Sequence, residues 1–216
     1  MKNLSKALQS ANENEPPTKK HQEILNRLYK TLDSYKKQSP AYYEYLGEIM
    51  KPQYFAKDEV LYEQGQVIKK AYFLSSGFMM ANHYTEKEGD KHVVNIFSRD
   101  EIISGKSFTE QTPSDYELVA CKGTYVLHLT YEEVNTIYSK FPDTQEQAMI
   151  ILADKEKKEL ETKRMLGLER MDMVAEFYKR HPELLKAGKI IKDSDIASFL
   201  LIGQSTLRGL RAKLKH

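Results

Sequence analysis

Cysteine is nearly absent: the 216-residue chain has one, Cys121. A single thiol excludes an internal disulfide and a four-cysteine zinc or iron–sulfur site, so no iron–sulfur cluster is expected. Long apolar runs are missing too. The longest, Ala148–Ala153, falls far short of the roughly 20 residues that span a bilayer, and no membrane partner is expected. The opening Met1-Lys2-Asn3-Leu4-Ser5 carries no apolar signal core, so the expected location is cytoplasmic. Charge of one sign is scarce: 33 Lys and Arg against 31 Asp and Glu leave a net +2. Over the whole chain that is no footprint for a polyanion. Gly-rich phosphate loops, nucleophile motifs and Cys-x-x-Cys pairs do not occur, and no enzyme is expected.

What is present is a globular composition, with 14 Tyr and 8 Phe available to build a core. The small net charge divides unevenly. Residues 1–166 carry 23 basic and 25 acidic side chains, whereas the last thirteen, Gln204–His216, hold Arg208, Arg211, Lys213 and Lys215 and no acid. Such asymmetry points to a polyanion partner for one end.

Residues 1–18 read as a polar lead-in ending at Pro16-Pro17. From Lys19 the period is helical, with Ile24, Leu25, Leu28, Leu32 and Tyr35 on one face. Ser39-Pro40 starts a shorter helix to about Ile49. Beyond Pro52, short apolar runs alternate with turn signals: Ala71–Leu74, Phe78–Tyr84, His92–Phe97, Tyr116–Ala120 and Thr124–Leu129. That texture predicts an antiparallel sandwich or roll, with a hairpin around Glu86–Gly89 setting His83 opposite His92. No third ligand completes that histidine pair, so no metal is expected. Helical spacing returns over Tyr131–Tyr138. A long helix then runs from an Asp143 cap to Leu166, with Gly167 as its terminator. Further helices are predicted over Leu168–Tyr178, Ser194–Leu200 and Gln204–Leu214. The domain plan is therefore a β-roll domain with N-terminal helices (19–142), a long connecting helix (143–167) and a compact helical end (168–216).

That end has the spacing of a helix-turn-helix. Ser194 is placed to cap the first helix, Ala197 permits a close crossing, and Leu207 and Leu210 anchor the second helix inward. Gln204, Ser205, Thr206, Arg208, Arg211 and Lys213 are left outward. Short polar side chains flanked by Arg and Lys suit base edges and phosphates of double-stranded DNA. The plainer alternative is a solvated basic surface helix.

Several segments resemble the Crp/Fnr family of bacterial regulators. They are Asp58-Glu59-Val60-Leu61-Tyr62-Glu63-Gln64-Gly65, Ala71-Tyr72-Phe73-Leu74-Ser75-Ser76-Gly77, Glu169-Arg170, and Arg180-His181-Pro182-Glu183-Leu184-Leu185. The resemblance spans about residues 51–215. It implies an α+β fold: a double-stranded antiparallel, cupin-like β-roll flanked by helices, a long dimerising helix and a small C-terminal helix-turn-helix domain. It also implies a homodimer on a palindromic operator and a small-molecule effector, here unidentified. The family's cyclic-nucleotide cassette, a Gly-Glu followed some nine residues on by Arg-Ser or Arg-Thr, corresponds to Ser104-Gly105-Lys106-Ser107 and Ser114-Asp115. The phosphate-pairing Arg is gone and Asp115 adds a like charge. That loss should cost on the order of a thousandfold in affinity, and tight cyclic AMP binding is not expected. Cupin enzymes share the roll but need a His and Glu cluster that this chain does not offer. Leu201 stands where the family often has Gly, and would be strained at positive φ. Gln204, Ser205 and Gly209 replace base-reading positions, so the operator should be unfamiliar. Along the long helix, Ala148, Leu152, Leu160 and Leu166 are the candidates for a dimer seam.

Two functions follow as expectations. One is a one-component transcription regulator with a sensor roll that does not hold cyclic AMP. The other is a small-molecule or protein-binding module whose degenerate C-terminal domain does not bind DNA.

Overall fold

The computed structural model describes residues 19–85, 90–186 and 188–214. The lead-in at 1–18, the turn Glu86–Gly89 and Lys215 lie outside them. Helix α1 (Lys19–Tyr35) buries Ile24, Leu25, Leu28 and Leu32, as their spacing requires. Helix α2 (Pro40–Ile49) starts at Ser39, whose hydroxyl accepts from the Tyr42 N–H at 3.3 Å. Pro40 sits in the first turn, where a missing N–H costs nothing.

Among the described residues eight strands follow: β1 (Lys51–Phe55), β2 (Glu59–Tyr62), β3 (Lys70–Ser76), β4 (Met79–Tyr84), β5 (Lys91–Phe97), β6 (Ile102–Ile103), β7 (Glu117–Ala120) and β8 (Thr124–Thr130). A short helix, α3 (Lys106–Glu110), separates β6 from β7. The strands make two antiparallel sheets, ordered β1-β8-β3-β6 and β2-β7-β4-β5, which is the double-stranded roll the resemblance implies. His83 does face His92 across the β4–β5 hairpin. β1 escapes the apolar pattern because it is an edge strand opening Lys51-Pro52-Gln53, where proline is tolerated. Gly77 takes φ +85° in the β3–β4 turn, and a Cβ there would lie 2.6 Å from the Thr124 Cα. Only glycine fits both constraints.

The roll is covered on both outer faces. Tyr72, Leu74, Met79, Ala81, Leu118 and Val126 fill the space between the sheets. Their neighbours Phe73, Tyr125, Leu127 and Leu129 point the other way, into a second core under α1 and α2. Met80, Val93 and Ile96 join Cys121 in a third core, shared with the C-terminal helices. Strands buried on both faces read as unbroken apolar runs instead of alternating ones, which explains the texture of β3, β4 and β8. Burial pushes the Cys121 thiol up to about 12, with Asp58 and Asp195 adding to it, so this cysteine is an inert core residue.

Helix α4 (Tyr131–Lys140) opens with a capping box between Thr130 and Glu133. Helix α5 (Thr144–Leu166) is the long helix. Asp143 stands at its N-cap position but gives no side-chain hydrogen bond. Gly167 ends it in a right-handed conformation, not the left-handed one expected of a glycine stop. Helix α6 (Arg170–Arg180), a 3-10 turn (Pro182–Leu185), α7 (Asp193–Phe199) and α8 (Gln204–Lys213) complete the chain. Lys192, not Ser194, is the α7 N-cap residue, because the helix begins one residue earlier than its sequence signal.

The C-terminal helices dock directly on the edge of the second sheet. The Ser198 hydroxyl of α7 accepts from the Val93 N–H of edge strand β5 at 3.0 Å, and Lys91 pairs with Asp195 at 2.5 Å. The roll and the helical end thus share one hydrophobic core, with a polar clasp at its rim.

His128 of β8 is buried between Lys51 of β1 and Tyr72 of β3, and its Nδ1 has no partner among the described residues. Desolvation, aided by Lys70 and Lys51, holds its imidazole down at about 4 against an ordinary 6.5. A folded pKa below the unfolded one means that neutral His128 contributes stability in full above pH 6.5. That contribution is lost as pH falls toward 4, by about 1 kcal/mol per pH unit. Urea unfolding of the His128→Phe variant should show a flatter pH dependence over that window. An unchanged slope would count against this assignment.

Candidate functional site

The structure brings the two halves of the cassette-equivalent segment together and leaves little of them for a ligand. The Ser107 hydroxyl accepts from the Ile68 N–H at 2.9 Å and donates to the Thr112 carbonyl at 2.6 Å. The Ser114 hydroxyl accepts from the Tyr116 N–H and donates to the Tyr116 carbonyl, at 3.2 and 2.8 Å. Both are buried and committed to backbone groups. Lys106 is exposed beside Glu110, and Asp115 is exposed with its carbonyl 2.9 Å from His83 Nδ1. The Ser104 carbonyl accepts from Lys155 Nζ at 3.2 Å.

Tyr116 takes the space itself. Its hydroxyl lies 2.6 Å from where a Cβ on Gly105 would stand, so a larger residue at 105 would push the Tyr116 side chain aside. Burial raises the pKa of this hydroxyl. No arginine occurs between Ser104 and Tyr116, and the residues present do not fit a cyclic phosphate held in the cassette manner. Sequence reasoning missed Tyr116, whose signal was its place directly after Ser114-Asp115.

A cleft of about 580 Å³ adjoins Tyr116, between β5 and α5. Lys155, Lys158, Glu101, Asp154 and Glu159 line it. Lys158 is paired with Asp154 at 2.8 Å, and Asp154 also accepts from the Tyr35 hydroxyl. Burial raises the Glu101 carboxyl, although it accepts two hydrogen bonds from Ser98. The cleft has charges of both signs, with Lys158 and Asp154 paired to each other.

At the other end, α7 and α8 cross as a helix-turn-helix. Ile196, Ala197 and Leu200 are buried against Leu207, which is itself fully buried. Leu201 takes φ +55° in the turn and is 75% exposed. This left-handed conformation favours glycine, and a leucine brings strain to it. Gln204, Ser205, Arg208 and Lys213 are exposed, and Thr206 is half-exposed.

Arg211 departs from the expectation that it faces outward. It is only 5% exposed. Its Nη1 and Nη2 donate to Asp193 Oδ1 and Oδ2, both at 2.7 Å, and Nη1 also reaches the Tyr178 hydroxyl at 3.3 Å. Arg208 donates through Nε to the same carboxylate at 3.2 Å but stays exposed. The reason is helical period: Arg211 lies four residues after Leu207 and three before Leu214, on the buried face. An acidic residue opening α7 was the sequence signal for its partner. The Arg211 guanidinium, with that of Arg208, holds the Asp193 carboxyl below the usual range.

A doubly hydrogen-bonded ion pair taken out of water is strongly sensitive to loss of one partner. Arg211→Met should cost the C-terminal domain about 3 kcal/mol, whereas exposed Arg208→Ala should cost less than about 1. Thermal unfolding by circular dichroism measures both, and equal small losses would contradict the ranking.

Residues 52–141 match the model of the cyclic nucleotide-binding domain. No curated protein sequence matches the chain. Among solved structures, FixK2 from Bradyrhizobium japonicum is similar at a TM-score of 0.63 and 14% identity, over 77% of this chain and 85% of that one. The c-di-GMP-responsive global regulator CLP from Xanthomonas campestris is similar at 0.57 and 14% identity, over 82% and 92%. CooA from Carboxydothermus hydrogenoformans is similar at 0.55 and 18% identity, over 87% and 84%. At such identities the likeness speaks for the fold. Residues 52–141 therefore resemble a cyclic nucleotide-binding domain, set in a chain folded like the Crp/Fnr regulators.

Proposed function

We propose that this protein is a DNA-binding transcription regulator that works as a homodimer and whose roll does not take cyclic AMP. The observation that carries the reading is the exposed start of α8. Gln204 and Ser205 stand on its first turn beside exposed Arg208, and Lys213 follows at its far end. Polar side chains at the N-terminus of a second helix, flanked by cations, are what a major-groove reader requires. Arg211 is withdrawn from that list. It shapes the helix pair and is not offered to phosphate.

Dimerisation is supported by α5. Met149, Leu152 and Leu160 lie on one helical face and are 70%, 39% and 49% exposed. Of the seam residues read from the sequence, Leu152 and Leu160 are exposed. Ala148 is less exposed and, like Leu152, lines a cavity beside the helix, and Leu166 packs against the C-terminal core. Pairing two copies along this face would set two α8 helices for successive turns of a palindrome, roughly 34 Å apart.

In this reading an effector acts by population shift on the docking of the helical end. The Lys91–Asp195 and Val93–Ser198 contacts are the hinge points that a second arrangement would have to release or re-form. The c-di-GMP response of CLP belongs to that protein, and the mixed charges of the 580 Å³ cleft do not select such an anion here.

Fluorescence anisotropy with duplex DNA at two salt concentrations tests the reading. Binding should weaken steeply with salt, and Arg208→Ala or Lys213→Ala should each lower the slope by about 2 per dimer. Salt-insensitive or absent binding at low salt would favour a non-DNA-binding module. In sedimentation equilibrium the native chain should be dimeric and the Met149→Glu/Leu160→Glu variant monomeric. A monomeric native chain would refute the seam.

A further inference from the structure

A second cavity lies outside the roll, between the N-terminal helices, the outer face of the β1-β8-β3-β6 sheet and the start of α5. Its volume is about 150 Å³. Leu28 and Leu32 of α1, Phe73 and Leu129 of the sheet, and Ala148 and Ile151 of α5 wall it. Well-packed interiors leave few voids larger than a water molecule, so a space of this size in an otherwise dense core is unusual.

The chemistry of the walls defines what could enter. No charged side chain borders the cavity among the described residues. Of its polar side chains, those of Thr109, Thr144 and Gln147 are committed to backbone. The Thr109 hydroxyl donates to the Lys106 carbonyl, Thr144 to Phe141, and the Gln147 amide to Leu32 and Lys36. A carboxylate or ammonium would shed its hydration there and meet no opposite charge. A neutral apolar molecule would shed little hydration and gain contact with the apolar walls. A dry apolar cavity of about this volume accommodates a benzene-sized molecule. Access is available, because Thr109 and Leu152 both line the cavity and are exposed.

We propose that this cavity is a binding site for a small, uncharged apolar or aromatic molecule of about six to eight non-hydrogen atoms. It borders the cassette-equivalent segment at Ser104 and Phe108 and does not depend on the DNA-binding reading. Its position gives binding a consequence. Ile102 and Ile151 border both this cavity and the charged cleft, and Phe108 of α3 reaches it from the cassette-equivalent segment. An occupant would press on α5 and on that segment together.

The test uses the full chain with toluene as the probe and hexanoate as the charged comparison, read by titration calorimetry and by the shift in melting temperature. Toluene should bind saturably with one site per chain and raise the melting temperature, and hexanoate should bind far more weakly. Ala148→Leu fills the space from a helix-compatible position and should weaken toluene binding by about tenfold or more while the protein stays folded. If that variant fails to fold, Ile151→Phe serves as a second filling substitution. No saturable toluene binding by the folded native chain, equal binding in the filled variant, or hexanoate binding as tight as toluene would each overturn the proposal.

Discussion

The buried pair between Asp193 and Arg211 is the constraint on which the functional end of this molecule depends. One carboxylate at the start of α7 receives both terminal nitrogens of Arg211 on α8 and the Nε of Arg208, while Arg211 also reaches Tyr178 on α6. Three helices are thereby tied at one point. The same bond sorts the two arginines: Arg211 is consumed inside, and Arg208 has its stem fixed but its terminal nitrogens facing solvent. This directional bond adds a fixed register to the apolar packing of the helix pair.

The rest of the architecture presents that helix pair. Both sheets of the roll are covered, one by α1 and α2 and the other by the C-terminal helices, so the chain stacks three cores in series. The third core joins the β-roll to the helix-turn-helix without a free linker. Ser198 and Lys91 then clasp its rim. Any change felt by β5 or α5 has a short mechanical path to α8.

Much of the fold was legible because periodicity reports burial. The face of α1, the hairpin that pairs His83 with His92, and the two closing helices all follow from spacing. What stayed hidden has physical causes. β1 is a polar edge strand containing Pro52, so neither alternation nor an apolar run marks it. The outward assignment of Arg211 came from residue type, although its spacing from Leu207 and Leu214 put it inside. At the cassette, comparison with a known pattern showed which groups were missing. It did not show that Tyr116 occupies the gap over Gly105, because that contact joins residues eleven apart through a fold. The apolar cavity under α1 has no sequence mark at all, since it is a volume left between elements and not a property of any one of them.

The central claim is that α8 reads DNA from a symmetric pair of subunits. In vitro selection from random duplex DNA, followed by sequencing of the bound pool, tests it most directly. The account predicts enrichment of an inverted repeat with half-site centres about 10 base pairs apart, and loss of that enrichment when Gln204 and Ser205 are both replaced by Ala. A pool with no enriched repeat from folded, dimeric protein would contradict it.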